Sequence, residues 1–265
     1  MQVSEIEDAQ SDLDLLEAAA REAGRVALGF FGCDPRRWSK EGDSPVSEAD
    51  IAVDRALHEL LTSARPEYGW LSEETTDDAA RLSRRRIFVV DPIDGTRAFL
   101  SGGDEWTVAL AVVEEGRPIS AAVYRPVGDE MYLARTGSGT MMNGARVRVS
   151  RRDSLEGATF AGPKAVAGRS DLKARGLEYA GYIPSLAYRL ALVAAGRIDI
   201  AAARGRACDW DLAAADLLVQ EAGGRLTDLS GRTAHYNKTD VRHGALIAGP
   251  ANLVEDLRPM LDLAM

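Results

Sequence analysis

The sequence predicts an α/β protein in two lobes, an α+β lobe over residues 1–150 and an α/β lobe over residues 151–265. Three observations predict it. Apolar, β-branched runs follow one another between residues 86 and 135 with little helical pattern among them, as in a mainly antiparallel sheet. From about Ser150 short apolar runs alternate with helical periodicity, the pattern of an α/β unit. The chain has 265 residues and is 46% hydrophobic, which suits one body with a sizeable core.

Residues 1–10 read as a frayed end. Ser11 or Asp12 is placed to cap a helix through Leu13, Leu16, Ala20 and Ala27 to about Phe31. Gly32 to Ser44 reads as a loop. Its Lys40 and Asp43 suit solvated surface or a flap over a site, and the surface reading is preferred. Ser47-Glu48-Ala49-Asp50 forms a capping box with Asp50 in place of Glu. The helix it opens carries Val53, Leu57, Leu60 and Leu61 on one face and Asp50 and Asp54 on another. Pro66 stops it. Gly69 to Ser72 is a short strand ending on Glu73-Glu74. Thr75 to Arg86 is polar, ends in three arginines, and reads as a solvated loop.

Arg86-Ile87-Phe88-Val89-Val90 has the composition of a buried strand. Pro92 has no donor for a ladder, so the strand is expected to stop at about Asp91. Asp91 and Asp94 then stand at its carboxyl end. Gly95-Thr96 leads into a short helix, where unpaired N–H groups suit an anion. Two acids beside an anion site suit a hard cation bridging to phosphate.

Trp106 to Glu114 and Pro118 to Tyr124 read as a hairpin joined at Glu115-Gly116-Arg117, and Met131 to Arg135 as a further strand. Thr136 to Gly144 reads as a hairpin turn; it lacks the glycine spacing and the βαβ setting of a dinucleotide loop. In the second lobe, strands are expected at Ala158–Gly162, Tyr179–Tyr182, Ile198–Ala202 and residues 245–249. Helices are expected after Ser170, from Pro184-Ser185 to Gly196, over Trp210–Ala222 and over 251–262. Gly223-Gly224 closes the third of these.

Net charge is −9, so a nucleic acid polymer is not the expected partner. No apolar run approaches the ~20 residues of a membrane span, and no secretory pattern opens the chain; a cytoplasmic location is expected. Cys33 and Cys208 are far apart and form no metal spacing. Cys208 is read as packing. His58 is read as structural, while His235 and His243 fall in a polar loop without evident pairing, so no catalytic histidine is assigned.

Glu73, Asp91, Asp94 and Asp211 stand at strand ends or a helix start, with Asp50 a weaker fifth. Gathered in a cleft they repel unless cations lie among them. All-oxygen ligands select Mg²⁺, Mn²⁺ or Ca²⁺ over Zn²⁺. The chemistry expected is metal-assisted phosphoryl transfer to water.

Three segments resemble the Mg²⁺-dependent, lithium-sensitive inositol monophosphatase superfamily: Trp70-Leu71-Ser72-Glu73-Glu74, Asp91-Pro92-Ile93-Asp94-Gly95-Thr96, and Trp210-Asp211-Leu212-Ala213-Ala214 through Glu221-Ala222-Gly223-Gly224. The resemblance covers nearly the whole chain from residue 12. It implies a layered α-β-α-β-α sandwich with the site between the lobes. It implies that Glu73, Asp91 and the carbonyl of Ile93 hold one Mg²⁺ and that Asp91, Asp94 and Asp211 hold a second. Asp50 reaches a third through water, with Mn²⁺ a substitute metal. Thr96, with Glu73, orients the attacking water, and the N–H groups of Gly95 and Thr96 take the phosphate. A homodimer is common in the superfamily.

Glu105-Trp106-Thr107-Val108-Ala109-Leu110, Gly116-Arg117-Pro118-Ile119 and Val123-Tyr124-Arg125-Pro126 are more similar to the 3′(2′),5′-bisphosphate nucleotidases. That branch implies 3′-phosphoadenosine 5′-phosphate as the small phosphorylated substrate. Ser185 and Arg204 flank the leaving group in this reading. Arg204 stands near where inositol monophosphatases carry a glutamate, and Ala98 where they carry an asparagine. Inositol 1-phosphate and histidinol phosphate are the alternative substrates; a binding or regulatory protein of the same fold is the non-enzymatic alternative.

Overall fold

The computed structural model describes residues 3–39 and 45–261. Its helices are α1 (Val3–Leu28), α2 (Glu48–Ala64), α3 (Thr96–Leu100), α4 (Lys164–Ala167), α5 (Ser170–Ala174), α6 (Leu186–Ala194), α7 (Asp209–Glu221) and α8 (Ala251–Leu257). Strands β1 (Arg37–Ser39) and β2 (Pro45–Ser47) form a small hairpin. The large sheet takes β3 (Gly69–Ser72), β4 (Arg86–Asp94), β5 (Thr107–Glu114), β6 (Arg117–Arg125), β7 (Glu130–Arg135), β8 (Gly139–Met142) and β9 (Ala145–Val147), paired in chain order. Only β3 and β4 run parallel in it. The second sheet takes β10 (Thr159–Ala161), β11 (Glu178–Gly181), β12 (Ile200–Ala203), β13 (Arg225–Asp228) and β14 (Leu246–Gly249), ordered β11-β10-β12-β14-β13.

The layering follows from β4. Phe88 and Val90 face one way, Ile87 and Val89 the other, and all four are buried. A strand apolar on both faces needs a layer on each side. α1 and α2 cover the first face through Leu16, Ala20, Val53 and Leu57. α6 and α7 cover the second, and their far side packs on Ala201, Ala203, Leu246 and Ala248 of the second sheet. The outer face of that sheet, with Phe160, Ile200 and Ile247, meets Leu172 of α5 and Leu253 of α8. The order is α-β-α-β-α, as the resemblance implies.

Several expectations are corrected. β4 runs past Asp91 to Asp94, and its pairing with β5 shifts register between those residues. The irregularity admits Pro92 without the regular ladder that its ring would break. Neither Ser11 nor Asp12 caps α1. Asp12 lies inside that helix, fully buried, and accepts from Arg65 at 3.1 Å and from the Tyr68 hydroxyl at 2.9 Å. Thr75 to Arg86 is not a uniform wet loop. A 3₁₀ turn at Ala79–Ser83 buries Arg81 between Asp77, Asn237 and the carbonyl of Lys238, and Arg86 is buried in β4. The single turn expected over 136–144 is two turns around β8, made by positive φ at Gly137, Gly139, Asn143 and Gly144. β1, β2, β9, β13 and α4 are three or four residues each, too short for a periodic signal. Lys40 and Asp43 lie outside the described residues.

Candidate active site

Asp91, Asp94 and Asp211 come together, each offering a carboxylate oxygen within 4.8 Å of the others. In a regular strand residues 91 and 94 would point to opposite faces. The irregularity in β4 turns both into one cleft, where the first turn of α7 brings Asp211.

Each acid is held differently. Asp94 accepts from the Ser185 hydroxyl and from the N–H of Ala187, both at 2.6 Å, so the N-terminus of α6 grips it. Asp211 is the third residue of α7 and accepts from the N–H of Cys208 at 2.5 Å. Both carboxylate oxygens of Asp91 are buried with no hydrogen-bond partner. A buried carboxylate left unpartnered is costly. Its surroundings hold its pKa well above the usual range, first by burial and then by the charges of Glu73, Asp94 and Asp211. Asp211 is raised in the same way, by burial and then by Asp94. Asp94 is also raised by burial, against the pull of its donors and of Arg189. Three acids whose charge is opposed by burial, and at Asp91 and Asp211 also by neighbouring acids, fit a site that a divalent cation completes. The donor set is oxygen alone, which suits a hard cation.

Other residues frame the cluster. Glu73 follows β3 and stands outside the three-acid group, close enough for its charge to raise Asp91. Asp54 of α2 fixes that segment, accepting from Ser72 and, at 2.7 Å, from Thr75. The Thr96 hydroxyl lies 3.1 Å from both Asp50 and the carbonyl of Ile93. Asp50 is buried and also accepts from the N–H and hydroxyl of Ser47, completing the capping box read from the sequence. Gly95 adopts φ 96°, and a Cβ there would sit 2.9 Å from the carbonyl of Glu105. Ser185 is fully buried, its hydroxyl shared among Asp94, Thr107 and the N–H of Tyr188.

A cavity of about 520 Å³ opens beside Asp94 and Asp211. Lys164, Arg189, Arg204 and Arg206 line it, with Tyr182. Arg189 is buried. Its terminal nitrogens donate to the carbonyls of Ala202 and Ile183, and its Nε has no partner. Its guanidinium lies 5.2 Å from the centre of the exposed Tyr182 ring.

Sequence reasoning missed Lys164 and Arg189, because neither lies in a motif. It also missed the anchor of α7. Asp209 is fully buried, 2.7 Å from His243 Nε2 and from the N–H of Asn237, so His243 is paired after all. Asp216, about two turns further along α7, accepts from the buried Tyr236 hydroxyl at 2.8 Å. Cys208 is packing, as expected: burial and the charge of Asp211 push its thiol up to about 12.

The model of the inositol monophosphatase family matches residues 8–259. The chain belongs to that family. Members of the family are metal-dependent phosphatases, and this one is a phosphoric monoester hydrolase. Over 260 residues it is 34% identical to an inositol-1-monophosphatase of Rhizobium meliloti, covering 94% of this chain and 95% of the relative. It is 31% identical to the 3′(2′),5′-bisphosphate nucleotidase CysQ of Salmonella typhimurium, covering 82% and 90%. The solved extragenic suppressor protein suhB of Bartonella henselae superposes with a TM-score of 0.82 at 30% identity, over 96% of this chain and 100% of that one. Among the described residues no helix is long and apolar enough to cross a membrane.

Proposed function

We propose that the protein is a Mg²⁺-dependent phosphomonoesterase whose leaving group is itself anionic, with 3′-phosphoadenosine 5′-phosphate the first candidate. The observation that carries this is the cavity wall. Its only acids, among the described residues, are Asp94 and Asp211; the rest of its charge is Lys164, Arg189, Arg204 and Arg206. A neutral polyol gains little from four cations, whereas a second phosphate can be gripped bidentately by arginine. The Tyr182 ring, backed by Arg189, offers a platform for a base.

Glu73, Asp91 and the carbonyl of Ile93 would hold one cation, and Asp91, Asp94 and Asp211 a second. When bound, the cations supply the positive charge that activates water and stabilises the departing oxygen. Asp50 accepts a hydrogen bond from the Thr96 hydroxyl, which leaves the lone pairs of Thr96, with Glu73, to orient the attacking water. Ser185 fixes the carboxylate of Asp94, and the N–H groups of Gly95 and Thr96 receive phosphate oxygens.

A phosphate-release panel tests the reading. With Mg²⁺, kcat/KM for 3′-phosphoadenosine 5′-phosphate should exceed that for inositol 1-phosphate, and chelation with EDTA should abolish both activities. Arg204→Ala should raise KM for the nucleotide about ten- to hundredfold, the value of a charge-assisted contact, with little change for inositol 1-phosphate. Equal small effects on both would return inositol phosphate, the substrate named for the Rhizobium relative, to first place. Lithium should inhibit by displacing the second Mg²⁺.

A further inference from the structure

β4 has a second charged end. At its first residue, Arg86, a cavity of about 470 Å³ is lined by four arginines, Arg65, Arg84, Arg85 and Arg86, with Tyr68 and Glu67. That concentration of positive charge stands out on a chain of net charge −9. It is also where the sequence places the run Arg84-Arg85-Arg86, to which the catalytic site gives no role.

The arginines are not equivalent. Arg86 is buried and donates to the Tyr68 hydroxyl at 2.9 Å, and it lies 3.4 Å from both Asp12 and Glu114. Arg65 is held by Asp12 at 3.1 Å and by the Ser11 hydroxyl at 2.8 Å. These two form a fixed inner wall. Asp12 and Glu114 neutralise part of its charge from behind, since neither lines the cavity. Arg85 is exposed and meets Glu114 at 2.5 Å. Arg84 is exposed and has no ion-pair partner among the described residues. Glu67 is the one acid in the lining, among the described residues.

The geometry points to a binding site for a linear polyphosphate at the start of β4, separate from the catalytic centre. The phosphate chain of a nucleoside triphosphate and an inorganic polyphosphate share the required chemistry. Planar guanidiniums match pairs of phosphate oxygens. The cavity is within the ~300–1,000 Å³ of small-ligand sites. The partly neutralised inner arginines and Glu67 leave little gain for a monoanion. A ligand with three or more charges can engage the inner wall together with Arg84 and Arg85. Asp91 and Asp94 lie five and eight residues along β4 from Arg86, which puts this cavity roughly 17–25 Å from the acid cluster.

Titration calorimetry of the full chain with tripolyphosphate, in EDTA so that no metal bridges to the catalytic acids, tests it. The wild type should bind. Arg84→Glu with Arg85→Glu should weaken binding by at least about tenfold, the value of one lost charge-assisted contact. In an Arg204→Glu background, which weakens any phosphate binding at the catalytic cavity, the same loss should persist. The double variant should turn over substrate like the wild type, because neither arginine lines the catalytic cavity. ATP binding as tightly as tripolyphosphate assigns the site to the phosphate chain, and tighter ATP binding assigns it to a nucleotide. No binding by the wild type below about 1 mM, some 4 kcal/mol, overturns the proposal. So does undiminished binding in the double variant.

Discussion

Helices α2 and α7 open with the same device, an aspartate at the third position whose carboxylate reaches back to the N-cap N–H. In α2 the cap is a serine, and Asp50 accepts from the Ser47 N–H, the Ser47 hydroxyl and, across the cleft, the Thr96 hydroxyl. Those neutral donors oppose the upward push of burial on its pKa. In α7 the cap is Cys208, whose thiol brings no comparable donor. Asp211 keeps one strong bond to the backbone and faces Asp94 and Glu73, so both burial and neighbouring charge drive its pKa upward. One capping motif therefore yields two electrostatic settings. Asp50 is met by neutral donors, one of them the Thr96 hydroxyl, whereas Asp211 lies among other acids, a setting that suits a cation.

The largest break in this comparison is Asp211→Asn. The amide oxygen still accepts from Cys208, so the fold should hold, while kcat at saturating Mg²⁺ should fall about a thousandfold, near 4 kcal/mol of transition-state stabilisation. In EDTA the variant should melt no lower than the wild type, because a repelling charge is gone. Wild-type turnover would separate Asp211 from catalysis.

Asp216, deeper in α7, tests what burial does to an acid without acid neighbours. Burial raises it to about 6, against the Gln220 and Tyr236 hydrogen bonds. The folded pKa lies above the unfolded one, so the cost of its charge is absent at pH 3.8, grows as pH rises toward 6 and is complete above that. The cost is about 3 kcal/mol at pH 7. Melting curves of Asp216→Asn should lack this component of the pH dependence between pH 4 and 7. An unchanged pH profile would show that Asp216 does not titrate there.

Asp50→Asn removes a charged acceptor from Thr96 and should lower kcat about ten- to hundredfold, 1.5–3 kcal/mol, with the Mg²⁺ concentration for half-activation little changed. A large rise in that concentration would make Asp50 a cation ligand like Asp211. The smallest effect is expected from Cys208→Ser, which gives α7 the cap that α2 has. Stability should rise by about 1 kcal/mol, or about 2–4 °C in Tm. The new hydroxyl, hydrogen-bonded to Asp211 as Ser47 is to Asp50, should raise the Mg²⁺ requirement modestly. No change in either would mean that the thiol is not what distinguishes the two helices.

Much of this was legible in the sequence. The capping box at Ser47 and Asp50, the apolar run before Asp91, the hairpin at Glu115-Gly116 and the glycine pair after Ala222 each carry local signals, and each appears where expected. The pairs Asp209–His243, Asp216–Tyr236 and Arg81–Asn237 were not legible. Their members are 34, 20 and 156 residues apart, and no periodicity links such positions. The same holds for Lys164 and Arg189, which α4 and α6 carry to the catalytic cavity.

By itself the sequence determined the α/β class, because period-two and period-3.6 apolar patterns mark strands and helices with faces to cover; the order of the layers came from the family resemblance. It also determined the inventory of acids, because their positions at element ends are local facts. Only the tertiary structure decided how those acids meet. Asp91 and Asp94 share a cleft because β4 is irregular around Pro92, where a regular strand would have turned them to opposite faces. It also decided that the N-terminus of α6 holds Asp94, and that Arg86 anchors a basic cavity instead of a wet loop. Burial and neighbouring charge set what an ionisable group does, and both are properties of the packed chain.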